Sequence, residues 1–221
     1  MTFAREAWVF VLPVALAALA SAWRWPKVAV LLAALAVLLL AFFRIPTRRY
    51  SGPFDRVLAP ANGIVTAIER VEEPLLGPDR YLRITTFLSV FNIHVQRSPS
   101  AGEVVSSTYR PGRKIAAFKP EAGEVNESHL VVLETENGDR IGIKQIAGLL
   151  ARRVVSYLEV GQTVERGELI GLIKFGSRVD LYLPSAYQVT VKKGDRLSEG
   201  LTEVARRLEE MATDVRSETT Q

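Results

Sequence analysis

Three short stretches hold the residue types that could do chemistry. The first is Ala59-Pro60-Ala61-Asn62-Gly63, the second runs from Phe87 to Pro99 and contains Phe91-Asn92-Ile93-His94, and the third is Lys174-Phe175-Gly176-Ser177-Arg178-Val179-Asp180. A serine hydroxyl and an imidazole can serve as nucleophile and base. Taken singly, each stretch also has a structural explanation. Asn62-Gly63 suits a tight turn, because both residues tolerate positive φ. His94, between Ile93 and Val95 in an alternating run, fits a hydrogen-bonded histidine of the interior. Gly176-Ser177 fits a loop entering a strand. The chain has no cysteine and only two histidines, His94 and His129. That excludes a cysteine nucleophile, a thiolate metal site and a disulfide scaffold, and argues against a zinc site of the usual kind, which takes about three protein ligands.

The elements that must position these residues read mostly as strand. Ile64 to Ile68, Tyr81 to Thr86, Gly102 to Ser107, Leu130 to Thr135, Arg140 to Gln145, Arg153 to Tyr157, Val179 to Leu183 and Gln188 to Val191 are short β-branched runs between turn residues. The pattern predicts a mainly β fold, a compact β-sandwich or barrel-like domain with few short helices. Helix is expected over Ile146 to Arg152 and over Leu201 to Ala212, where Leu201, Val204, Leu208 and Met211 recur at helical spacing. Val160 to Gly171 has the strand-turn-strand rhythm of lipoyl-like barrels. A carrier domain would need a lysine at a hairpin tip, whereas Lys174 stands beyond the passage.

At 221 residues and 48% hydrophobic content the chain is no disordered protein. Its formal charge of +4 comes from the first 49 positions, where Arg5, Arg24, Lys27, Arg44, Arg48 and Arg49 face one acid, Glu6; the remainder is near neutral, which argues against nucleic acid. Ala7 to Ala22 and Val28 to Phe43 are apolar runs of about sixteen residues, roughly 24 Å each as helix. Trp23-Arg24-Trp25-Pro26-Lys27 between them reads as the turn of a transmembrane helical hairpin. Residues 1–46 would then be the anchor, 47–200 the catalytic domain and 201–221 a short C-terminal helix with a polar tail. The arginines after Phe43 favour an inner-membrane location with the catalytic domain in the cytoplasm.

The three stretches, in this order behind an apolar hairpin, resemble the phosphatidylserine decarboxylase family in its short form. The likeness runs from Phe43-Arg44-Ile45-Pro46 to about Asp195 and includes Gln145-Ile146-Ala147-Gly148-Leu149-Leu150-Ala151-Arg152-Arg153; Phe175-Gly176-Ser177-Arg178-Val179-Asp180 is its most specific phrase. The resemblance implies a proenzyme that cuts itself between Gly176 and Ser177 into chains 1–176 and 177–221. Ser177 would attack the Gly176 carbonyl with His94 as base and would become a covalent pyruvoyl group. No metal is implied. That cofactor would form a Schiff base with the serine headgroup of phosphatidylserine, whose decarboxylation gives phosphatidylethanolamine, with His94 a candidate for the proton transfer. Membrane lipid and a second copy, as a homodimer, are the implied partners, and Arg97, Arg110, Arg113, Lys114 and Lys119 are candidates to meet the headgroup.

The chain departs from the family where Pro60-Ala61-Asn62-Gly63 replaces Pro-x-Asp-Gly, and where Ser128-His129 follows Asn126-Glu127 in place of Arg-Asn. Asn62 can orient His94 by a hydrogen bond but cannot balance an imidazolium charge, so maturation is expected to be slow and Asn62→Asp to accelerate it. The alternative is a cleavage-deficient relative that acts as a lipid-binding membrane protein. His129 reads as a surface residue.

Overall fold

The computed structural model describes residues 1–149, 153–174 and 176–208. At the N-terminus β1 (Thr2–Phe3) pairs with β2 (Arg44–Ile45) and closes a hairpin of α1 (Trp8–Ser21) and α2 (Pro26–Phe42). Proline at the first position of α2 costs no hydrogen bond, since that N–H would have no partner inside the helix. The helices stand where the apolar runs predict, but they are 14 and 17 residues long, about 21 and 26 Å against a hydrocarbon layer of about 30 Å. Among the described residues no helix is long and apolar enough to cross a membrane. The expected transmembrane hairpin is therefore corrected to a shorter one. Its physical reason lies at the end of α2, where Phe43 is buried with Ile93, Val95 and Leu172 against the β domain, so those turns are committed to protein.

The β domain is built on an antiparallel sheet of eight strands that curls into a half-barrel. Its members are β4 (Gly63–Glu72), β5 (Arg80–Leu88), β7 (Gly102–Arg110), β8 (Ser128–Glu134), β9 (Arg140–Ala147), β11 (Thr163–Val164), β13 (Ser177–Leu183) and β15 (Arg196–Leu197), in the order β11-β7-β8-β9-β13-β5-β4-β15. Two three-stranded sheets complete it. One joins β10 (Val154–Ser156), β12 (Leu169–Ile173) and β6 (Val95–Arg97); the other joins β14 (Tyr187–Val189), β16 (Glu203–Arg207) and β3 (Arg56–Leu58). Among the described residues one short helix, α3 (Ala122–Val125), interrupts the strands.

Side chains alternate across the large sheet with the period of two that a strand imposes. Val131 and Leu133 enter the main core with Ile141, Ile143, Val179 and Leu181, while Leu130, Val132 and Tyr182 fill a smaller cluster on the opposite face with Leu76 and Tyr81. Strand β13 lies at the centre: Ser177 is opposite Leu88 of β5 on one side and Ala147 of β9 on the other. Its first turn into the sheet is pinned by a buried bidentate pair, Arg178 Nε and Nη2 to the two Asp180 oxygens at 2.7 and 2.8 Å.

Both helices expected in the second half are corrected. Ile146 and Ala147 complete β9, and residues 150–152 lie outside the described residues. Residues 203–207 form β16, while 209–221, including the expected polar tail, lie outside. A register shift between Glu203 and Ala205 lets the adjacent Val204 and Ala205 both be wholly buried, so the alternation that would have marked a strand is broken. The passage from Val160 does alternate turn and strand, with left-handed glycines at Gly161 (φ +86) and Gly167 (φ +82). Leu181→Ala, in the strand flanked on both sides, is expected to cost about 2–5 kcal/mol. Urea unfolding should show a lower midpoint at an unchanged slope; an unchanged midpoint would mean that this strand is not central to the core.

Candidate active site

Ser177 opens the central strand and is 0% exposed, and its Oγ has no hydrogen-bond partner among the described residues. A buried hydroxyl without a partner is costly, and such groups concentrate where chemistry needs them. The preceding residue, Gly176, has φ +64, a left-handed conformation that disfavours any side chain. Gly148 is required for a different reason: a Cβ there would overlap the Gly176 carbonyl oxygen. The Gly176 carbonyl thus packs against Gly148, with no side chain at either position.

His94 is presented by the residues just before β6. Its flanks Ile93 and Val95 are buried, and its own carbonyl accepts from Ile173 N–H at 3.0 Å and from Gln96 Nε2 at 2.9 Å, Gln96 being held in turn by Gln145 Nε2 at 2.7 Å. The ring is 2% exposed and packs on Phe42 with centroids 4.4 Å apart. Nδ1 lies 2.8 Å from the Asn92 carbonyl. A carbonyl can only accept, so Nδ1 carries the hydrogen and Nε2 presents a lone pair. Gly176 N–H donates to that Nε2 at 3.0 Å. Burial pushes the His94 pKa down to about 4, against the opposing effect of the Asn92 hydrogen bond and with help from the Arg44 charge. The ring is a neutral base at neutral pH.

The Asn62 side chain makes its hydrogen bonds away from the His94 ring. Its Nδ2 donates to Glu199 Oε2 at 3.1 Å and its Oδ1 accepts from Asn92 Nδ2 at 2.8 Å. The tautomer is held by the Asn92 main chain, so the expected direct Asn62–His94 bond is corrected to an indirect one. Gly63 is also reassigned from a turn residue to the start of β4, where a Cβ would overlap the Phe87 carbonyl. Asn92, Gly148 and Glu199 are participants that sequence reasoning missed. Asn92 and Gly148 stood inside the quoted phrases without a role; Glu199, in an ordinary Ser-Glu-Gly turn, carried no signal.

Of the candidate headgroup cations, Arg97 is buried and donates to the Gly167 and Pro46 carbonyls at 2.8 and 2.7 Å, so it ties the linker down. Arg110 donates to the Gly123 carbonyl at 3.0 Å and Lys119 lies 4.0 Å from Glu121; Arg113 and Lys114 are exposed. His129 is half-buried on β8 with Nε2 2.8 Å from Ser107 Oγ. Exposed Phe91 precedes His94 in the chain and exposed Leu149 follows Gly148, and exposed Phe118 packs edge-on against Phe87. Two cavities of about 970 and 410 Å³ lie elsewhere, beside Tyr50 and Arg166 and beside Glu73 and Lys144, and neither is lined by Ser177 or His94.

The sequence model described as phosphatidylserine decarboxylase matches residues 35–205. A phosphatidylserine decarboxylase proenzyme of Symbiobacterium thermophilum is 45% identical over 204 residues, covering 92% of this chain and 94% of its own. Proenzymes of the same name from Nitrobacter winogradskyi and Magnetococcus marinus are 42% and 40% identical, covering 86% and 75% of this chain and 78% and 76% of theirs. A buried, unpartnered serine behind a left-handed glycine, a neutral histidine beside it and matches of this extent lead to one assignment: the chain belongs to the phosphatidylserine decarboxylase family.

Proposed function

We propose that this protein is a proenzyme that cleaves itself between Gly176 and Ser177 and then decarboxylates phosphatidylserine to phosphatidylethanolamine. The observation that carries the reading is the buried Ser177 Oγ, without a partner among the described residues, directly after Gly176, whose N–H meets the lone pair of His94. In the step the Gly176 N–H gives up the lone pair of His94 Nε2, which takes the hydroxyl proton as Oγ bonds to the Gly176 carbonyl carbon. The bond from that carbon to the Ser177 nitrogen breaks, and the nitrogen takes up a proton as the free amine. Loss of the Ser177 α-proton then expels Gly176 as a carboxylate, and one water replaces the nitrogen, which leaves as ammonia. Chains 1–176 and 177–221 result.

The residues present fit a pyruvoyl group at position 177, because the serine that would become it is enclosed between two neighbouring strands and away from water. Such a group supplies a ketone conjugated to an amide, which takes the headgroup amine and accepts the electron pair left by carboxylate loss. His94 Nε2, which meets the Gly176 N–H, would return a proton to the substrate carbon after first taking one up.

The apolar hairpin supports a reading in which the protein sits at the cytoplasmic face of the inner membrane, dipping into one leaflet instead of crossing it. Trp23 at 98% and Leu19 at 74% exposure mark its outer end, while its inner end reaches the site through Phe42 on His94. Lipid would thereby meet the site without leaving the bilayer surface.

Denaturing electrophoresis of the purified chain should show two fragments, and Ser177→Ala should abolish both cleavage and decarboxylation; a single band from the unaltered protein would favour the cleavage-deficient, lipid-binding alternative. Full-length protein should co-sediment with lipid vesicles, and Leu19→Glu with Trp23→Glu should greatly weaken that binding; retention of binding would remove the hairpin from the interface. With His94 at about 4 in the folded state and 6.5 unfolded, the cleavage rate should stay level from pH 8 to 5 and fall only near 4. Between 6.5 and 4 the unfolded chain binds a proton that the folded chain refuses, so this group's stability contribution is intact above 6.5 and is lost as pH falls toward 4. A rate falling with a midpoint near 6.5 would contradict the buried neutral base.

A further inference from the structure

Glu199 lies outside all three chemistry-bearing stretches, in the turn between β15 and β16. The pairing of Leu197 with Gly63 brings that turn beside Asn62. Gly200 N–H to the Ala59 carbonyl at 2.9 Å and Ala59 N–H to the Thr202 carbonyl at 2.8 Å clamp it there. Gly200 has φ +67, and a Cβ on it would meet Arg97 Cδ at 2.6 Å, so only glycine allows this approach. Glu199 is 0% exposed. Its Oε1 accepts from Arg48 Nε at 3.0 Å and its Oε2 from Asn62 Nδ2 at 3.1 Å.

These contacts dictate the direction of the bonds beyond them. A carboxylate only accepts, so Asn62 must turn Nδ2 toward Glu199 and Oδ1 toward Asn92. Asn92 can offer its Nδ2 because its own Oδ1 is occupied by the Ser89 N–H and hydroxyl, both at 2.8 Å. Held in this way, Asn92 aims its main-chain carbonyl at His94 Nδ1. We propose that Glu199 is the positioning carboxylate of self-cleavage: acting through Asn62 and Asn92, it holds His94 in the tautomer whose Nε2 lone pair faces Gly176. The inference rests on the self-cleavage reading above.

The same geometry accounts for asparagine at position 62. An aspartate there would still accept from Asn92, but it would set a second carboxylate where Nδ2 now lies 3.1 Å from Glu199 Oε2, and buried like charges at that distance repel strongly. The expected gain from Asn62→Asp is therefore reversed. Asn62 and Glu199 form a matched donor and acceptor.

The test follows loss of the uncleaved full-length chain by denaturing electrophoresis, together with nitrogen NMR of the histidines in the non-cleaving Ser177→Ala background. Glu199→Ala should slow cleavage about tenfold or more, and Asn62→Asp alone should also slow it. The double variant Asn62→Asp with Glu199→Gln should recover most of the original rate. His94 should show hydrogen on Nδ1 in the parent and a mixture of tautomers in Glu199→Ala. If the unaltered chain cleaves and every variant matches it, the role of Glu199 is refuted and self-cleavage stands. If Glu199→Ala slows cleavage while the His94 tautomer is unchanged and the double variant stays slow, Glu199 only supports the fold and the proposal is overturned. If the unaltered chain never cleaves, the underlying reading fails and this one with it.

Discussion

His94 can serve as a base at Gly176 only while the Asn92 carbonyl keeps a hydrogen on Nδ1, because an imidazole with its hydrogen on Nε2 would face the Gly176 N–H donor to donor. Much of the domain bears on that one ring. Strand β12 and Gln96 hold its main-chain carbonyl, Phe42 covers its face, and burial keeps it uncharged. Ser177 itself is set by the ladder of β13 between β5 and β9.

The left-handed turn before Ser177 is open to glycine without strain, whereas burying a hydroxyl without a partner opposes stability. The surrounding structure offsets this locally. Arg178 and Asp180 form a complete bidentate pair one residue beyond Ser177, and Asn126 next to β9 satisfies Ile115 and Ala147 with three hydrogen bonds. The unpaired hydroxyl therefore sits next to side-chain pairs whose hydrogen bonds are complete. Hairpin packing extends that frame outward, since Phe10, Phe42 and Phe43 join Ile93 and Val95 in one cluster and tie an apolar surface to the site.

Most strands were legible because β-branched runs such as Leu130 to Glu134 alternate cleanly between two faces and end at turns such as Asn137-Gly138. The C-terminal strand was not, since the bulge at Val204 and Ala205 breaks the alternation and leaves a spacing that imitates a helix. Of the site, Ser177, Gly176 and His94 could be read from their phrases. Asn62 could be noticed but not interpreted: its meaning depends on Glu199, 137 positions away in sequence and brought close by the β15–β4 pairing. Glycines told a similar story. Gly176 needs its positive φ, whereas Gly148 and Gly63 are needed for close approach of another chain segment, a distinction that only the packed structure makes.

The central claim is that Ser177 is consumed to make the reactive group. Its most direct test is the mass of the small fragment from freshly purified protein. The account predicts a chain of residues 177–221 lighter than the serine-terminated peptide by one ammonia. An uncut chain, or a fragment that retains an unmodified Ser177 at its end, would contradict it.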